Sequence, residues 1–264
     1  MMKVITLSSS SRGNSVLVMG DKTNLLIDIG INVTTVVEKL KLLNVDPNSI
    51  TAILSTHEHS DHTKGIGPFV RKYGSMLYVH ADGREAMLKK IGNINPLKIV
   101  EFFDMDFVVG EFTITPFKLP HDAASCHGFK ISNGINQIAY ATDLGYANEE
   151  IIKNLYNCKL VILESNHDEK LLVSNPHYPD VLKRRILGKN GHLSNAVSAK
   201  IVTKLAVNNV KQVVLAHLSL ENNDPVIAYE THESYLLSQG ITPGVNIKID
   251  IAPPFTLGTL FKLN

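Results

Sequence analysis

Between Ser55 and Gly65 the chain reads STHEHSDHTKG, and three of its eleven histidines, His57, His59 and His62, fall within six positions together with Asp61. At the end of a strand, side chains two apart point the same way, so His57 and His59 can face one point. Asp61 and His62 come where the chain turns toward a helix and can face a second point nearby. Imidazole nitrogen and carboxylate oxygen suit zinc, and equally manganese or iron. Four such side chains in one short loop exceed what a single cation usually draws from it. Two adjacent cations are the more natural reading, and such pairs clamp the attacking and leaving oxygens of a displacement.

These residues need a scaffold. Short Val/Ile/Leu-rich runs recur over 3–7, 15–20, 24–30, 52–56, 76–80, 107–110, 112–117, 128–132, 137–143, 160–165 and 212–217, and read as strands. Longer periodic segments over 34–43, 62–73, 82–91, 149–156, 178–187, 194–205 and 224–239 read as helices. Sheets covered by helices predict a layered α/β sandwich, expected to form one domain over 1–264. Asp28, His57, Asp143, Glu164 and His217 each follow an apolar run, where the chain leaves its sheet, so five strand ends offer ligand-type side chains to one shared rim.

The 264 residues are enough for a sizeable core, and 44% hydrophobic with 19% charged residues excludes a disordered chain. A net charge of +1 neither demands nor excludes nucleic acid. Cys126 and Cys158 form no C-x-x-C, which argues against a disulfide framework or a thiolate zinc knuckle. The start, MMKVITLSSSSRGNS, has no apolar stretch of signal-peptide length, and no run approaches a membrane span, so a cytoplasmic protein is expected, with no membrane partner. Oligomeric state is not readable. His80, His177 and His232 lack ligand-type neighbours in sequence and are expected to be structural.

THEHSDH resembles the signature of the metallo-β-lactamase fold superfamily, and the superfamily's other motifs follow in order: Asp28 in LLIDIG, His121 in LPHDA, Asp143 in YATDLGY and His217 in LAHLS. The resemblance implies a four-layer αββα sandwich with two divalent metal ions (Zn2+, Mn2+ or Fe2+). It implies one metal on His57, His59 and His121, the other on Asp61, His62 and His217, with Asp143 bridging and Asp28 orienting the loop without binding metal. An aspartate bridge and the lack of a secretion signal argue against an antibiotic-destroying lactamase.

Further stretches, SSSSRGNS, LPHDAASCHGFKI, LESNHD, YPDVLKRRI and GHLSN, are similar to the YycJ (WalJ, VicX) branch, which resembles a ribonuclease J without its inserted domain. That resemblance implies a 5′→3′ exonuclease on double-stranded DNA, with DNA the expected partner ahead of RNA. Two positions depart from the branch: His127 in SCHG, and Asp180, which stands where a tryptophan is usual. For phosphate, Arg12 and Asn14 beside Gly13, the basic run Lys183–Arg185, and His192 and Asn195 ahead of a helix are the expected contacts, with His167. Asp61 and His192 are the expected catalytic residues, His192 protonating the leaving oxygen of a phosphodiester attacked by hydroxide. The alternative is a small-molecule phosphodiesterase or a glyoxalase II-like thioesterase on the same metals.

Overall fold

The computed structural model describes residues 1–264. One seven-stranded sheet runs, edge to edge, β14 (Phe261–Leu263), β1 (Met2–Ser8), β2 (Ser15–Met19), β3 (Asn24–Ile27), β4 (Ile50–Leu54), β5 (Met76–His80) and β6 (Ile99–Phe102). The other runs β13 (Lys248–Ile251), β12 (Gln212–Ala216), β11 (Leu160–Glu164), β10 (Gln137–Ala141), β9 (His127–Ser132), β8 (Phe112–Lys118) and β7 (Phe107–Val109). Each sheet is antiparallel on one side and parallel on the other: β3 to β6 in the first, β10 to β13 in the second.

The inner parallel strands are apolar at nearly every position because both of their faces are buried. Leu25, Ile27, Ala52 and Leu54 face Ile138, Tyr140, Leu160, Ile162, Val214 and Ala216 in the core between the sheets. The alternate residues Leu26, Ile53 and Leu77 pack under α1 (Val33–Leu42), α3 (Ile66–Tyr73) and α4 (Arg84–Ile91). On the far side Ala139, Val161, Leu163, Val213 and Leu215 pack under α5 (Glu149–Leu155), α8 (Asn195–Val207) and α9 (Pro225–Ser238). The result is the αββα layering expected. No helix is long and apolar enough to cross a membrane.

The structure corrects the element assignment in places. The helix expected over 62–73 is two pieces, α2 (Ser60–Thr63) and α3, broken at Gly65. The Gly65 N–H donates to the carbonyl of Ile29 at 2.7 Å, and a Cβ there would lie 2.4 Å from Ile29 and Ile31 atoms, so the chain turns where only glycine fits. Strands β6, β13 and β14, and the short helices α6 (Glu169–Ser174) and α7 (Asp180–Ile186), complete the list, with α7 lying inside the helix expected over 178–187.

Candidate metal centre

The parallel strands end on one rim, and the residues after them turn sharply. Asp28 after β3, Asp143 two residues after β10 and His217 after β12 all have left-handed backbone, with φ of 55°, 66° and 58°. Asp and His tolerate this region better than most residues, and it swings their side chains out of the strand alternation toward a common point.

Asp28 is fully buried and organises the loop after β4. Its Oδ1 accepts from the Thr56 N–H at 2.9 Å, and its Oδ2 from Thr56 Oγ1 and His62 Nδ1, each at 2.7 Å. Burial raises the Asp28 pKa, and the attraction of His62 and the Thr56 bonds only partly offset it. With Nδ1–H given to Asp28, His62 presents Nε2 to the rim. Thr56 Oγ1, having donated to Asp28, accepts from His57 Nδ1 at 2.9 Å. His57 Nε2 is then a buried lone pair with no hydrogen-bond partner.

Two ligand sets meet at the rim. The ring nitrogens of His57, His59 and His121 lie within 4.8 Å of one another, as do the ligand atoms of Asp61, His62 and His217. His121 donates Nδ1–H to the Gly191 carbonyl at 3.2 Å, leaving its Nε2 3.3 Å from His59 Nδ1. In the second set, Asp61 Oδ2 stands 3.4 Å from His62 Nε2 and 3.3 Å from His217 Nε2. These separations match the ~3.4 Å edge of a tetrahedron with zinc–ligand bonds of ~2.0–2.1 Å. Asp143 lies between the sets, with Oδ2 3.1 Å from His62 Nε2 and Oδ1 3.7 Å from His121 Nε2. An orphaned buried imidazole nitrogen, donor spacing of this size and a carboxylate between the sets fit divalent cations.

Glu164, at the end of β11, is the charge hub beneath the rim. It is fully buried and accepts from His217 Nδ1 at 2.8 Å, His192 Nδ1 at 2.9 Å and the backbone N–H groups of Asp143, Leu144 and Leu193. Burial opposes its ionisation, but His192 and His217 outweigh that and bring its pKa down to about 2. His217 is likewise raised to about 10: burial disfavours its cation, and Asp143, Asp61 and Glu164 overcome that. Asp143 falls well below the usual carboxylate range because His217 and His62 outweigh its burial. Protons on His217 and His62 thus stand against the rim carboxylates, the positive charge that divalent cations would supply in their place.

The centre forms the floor of a cleft of about 270 Å³, walled by His192, Arg185, Asp122, Tyr178 and Ser219. His192 is bonded to Glu164 through Nδ1, so Nε2 is the nitrogen available to a substrate. Arg185 pairs with Asp122, the residue after His121, and Arg12 pairs with Glu221 at 3.5 Å; both guanidinium groups are exposed. Six expected phosphate contacts fall outside the cleft lining, among them Arg12 and Lys183, whose ammonium donates to the Val173 carbonyl at 2.6 Å. Asn14 is buried beneath the metal loop, its Nδ2 3.1 Å from His62 Nε2 and its Oδ1 accepting from the Ser10 N–H. Asn195 is buried, bonded to Ser165 and Asn223. His167 is buried outside the cleft lining, where burial lowers its pKa to about 4. Arg184 is exposed on α7 and does not line the cleft. Asn14 and Asn195 are small polar residues whose hydrogen bonds are consumed by neighbouring protein groups, side chains in the case of Asn195, which spacing alone does not reveal. Thr56 and Asp122 are the residues that sequence reasoning did not place in the site; Glu164 was expected at the shared rim from its position after an apolar strand, but without a role.

Two mixed sheets between helix layers, with a histidine–carboxylate rim at their strand ends, define the metallo-β-lactamase type of fold. Residues 23–218 match the family model described as the beta-lactamase superfamily domain, and the chain belongs to that superfamily. Over 263 residues it is 33% identical to the exodeoxyribonuclease WalJ of Streptococcus pneumoniae, covering 96% of this chain and 97% of that protein. Over 250 residues it is 33% identical to the exodeoxyribonuclease YycJ of Bacillus anthracis, covering 94% of each. The crystal structure of the metallo-beta-lactamase fold protein YhfI from Bacillus subtilis superposes with a TM-score of 0.72 over 98% of both chains at 19% identity, a likeness of fold.

Proposed function

We propose that this chain is a metal-dependent phosphodiester hydrolase acting as a 5′→3′ exonuclease on double-stranded DNA, with two divalent cations at the rim. The observation that carries the reading is a cation-demanding rim on the floor of a cleft, in a chain similar over nearly its whole length to two exodeoxyribonucleases. His57, His59 and His121 would hold one cation, Asp61, His62 and His217 the other, with Asp143 shared. When bound, such cations supply a water of lowered pKa and offset charge developing on phosphate oxygens.

The chain's own residues do the rest. Asp28 and Thr56 fix the tautomers of His62 and His57, and Glu164 fixes that of His217, so each presents Nε2 to the rim. Burial opposes the His192 cation, but the Glu164 charge prevails and raises its pKa; with Nδ1 held by Glu164, Nε2 is the nitrogen that would protonate the leaving 3′ oxygen. Arg185, which lines the cleft, and the exposed Arg12, outside that lining, would supply sequence-independent attraction to a nucleic-acid backbone. The test is hydrolysis of end-labelled duplex DNA and RNA by metal-reconstituted protein across a salt series. Cleavage of duplex DNA that weakens steeply with salt supports the reading. Hydrolysis confined to small thioesters or phosphodiesters contradicts it.

A further inference from the structure

A second histidine–carboxylate cluster lies apart from the rim, on residues for which the proposed activity has no use. His80 ends β5 in one sheet, His127 begins β9 in the other, and Asp104 sits on the crossover between β6 and β7. The two imidazoles stack with centroids 4.2 Å apart and planes at 23°. Both are buried, while the Asp104 side chain is 67% exposed.

Their polar atoms sort into two groups. Asp104 Oδ1 is 2.9 Å from His127 Nε2 and 3.5 Å from His80 Nε2, and the ligand atoms of all three residues lie within 4.8 Å of one another. These distances bracket the ~3.4 Å spacing of ligands around a tetrahedral zinc ion. On the opposite ring edges, Ser125 Oγ lies 3.1 Å from His80 Nδ1 and 3.4 Å from His127 Nδ1. One hydroxyl oxygen has two lone pairs and can accept from both Nδ1–H groups at once. In those tautomers both Nε2 lone pairs would be turned toward Asp104, with the remaining ring nitrogens bonded outside the ligand shell as metal-binding imidazoles require.

We infer that His80, His127 and Asp104 form an additional divalent-cation site, suited to zinc, open to solvent on the Asp104 side. Two features oppose it. The Asp82 N–H lies 3.2 Å from His80 Nδ1 and would lose that acceptor to the Nδ1 proton. Lys118, paired with His127 across β8 and β9, adds a nearby positive charge, but its side chain is at the surface, where water screens it. A cation held here would tie one sheet to the other behind the metal loop, since the His127 N–H donates to the Thr56 carbonyl at 3.2 Å.

The experiment is equilibrium dialysis against micromolar free zinc, followed by elemental analysis, on the wild-type protein, Asp104→Asn and His127→Gln. The site predicts that each variant holds one zinc fewer per chain than wild type while its turnover on DNA is unchanged. Asp104→Asn changes an exposed side chain, so it keeps the test sound if His127→Gln does not fold. Equal zinc content in wild type and Asp104→Asn overturns the site. The difference between proteins is the readout, so the result stands whatever number the rim itself binds. A cobalt(II) titration in which wild type takes up one equivalent more than Asp104→Asn supports the site independently, and identical titrations overturn it.

Discussion

Glu164 Oε1 accepts the Nδ1 proton of His217 at 2.8 Å, and that single bond turns His217 Nε2 to the rim, 3.3 Å from Asp61 Oδ2. The carboxylate binds no cation in the proposed arrangement, yet it sets which nitrogen His217 offers and stabilises the charge on His192. Glu164→Gln replaces an acceptor with an amide that can present a donor to the same proton. We expect metal affinity at the rim to fall by about 10- to 100-fold. Competition with a chromophoric zinc chelator measures it, and unchanged affinity would show that Glu164 does not orient His217.

Asp28→Ala should act through the loop rather than by deleting a ligand. Asp28 accepts three bonds, two from Thr56 and one from His62, and all are lost together. The expected outcome is weaker metal binding, again by about 10- to 100-fold, with activity regained at high metal concentration. Loss that no metal concentration restores would make Asp28 a folding residue alone.

His192→Ala should retain the rim metals and slow cleavage of DNA by roughly 10²-fold or more, the scale of lost general-acid help. A p-nitrophenyl phosphodiester, whose leaving group needs no proton, should be slowed far less. Equal slowing on both substrates would leave His192 a positioning residue.

The helix α9 carries a pH liability remote from the site. His232 is buried and its pKa is lowered to about 4 by burial, with a bond to the Ala228 carbonyl at 2.8 Å only partly offsetting that. The unfolded chain binds this proton below about pH 6.5 and the folded chain does not until about pH 4, so stability falls as the pH drops through that window. The full effect is on the order of 3 kcal/mol. Denaturant titrations at pH 7 and pH 4.5 should show a smaller acid loss for His232→Leu than for wild type. Equal losses would place the acid sensitivity elsewhere.

The parts of the molecule readable from sequence are those with a local physical signature. Strands such as 160–163 announce themselves because burial on both faces makes every position apolar, and the ligand-type residues stand out by following them. Edge strands β13 and β14 have no fully buried position, so no such signal marks them. The left-handed turns at Asp28, Asp143 and His217 leave no periodic trace, although they aim the side chains. Asn14 and Asn195 look the same in sequence whether they meet a phosphate or neighbouring groups of the protein. His80 and His127 lie 47 positions apart, and only the crossover between the sheets stacks them.

The most direct measurement is release of label from 5′-end-labelled duplex DNA by the metal-reconstituted protein, alongside Asp143→Asn and a chelator-treated sample. Asp143 lies between the two ligand sets, 3.1 Å from His62 Nε2 and 3.7 Å from His121 Nε2. The account predicts progressive release of labelled mononucleotide by the wild-type protein, none after chelation, and a rate lowered by orders of magnitude in a folded Asp143→Asn variant. A near wild-type rate in Asp143→Asn, or no mononucleotide from duplex DNA under full metal loading, would contradict it.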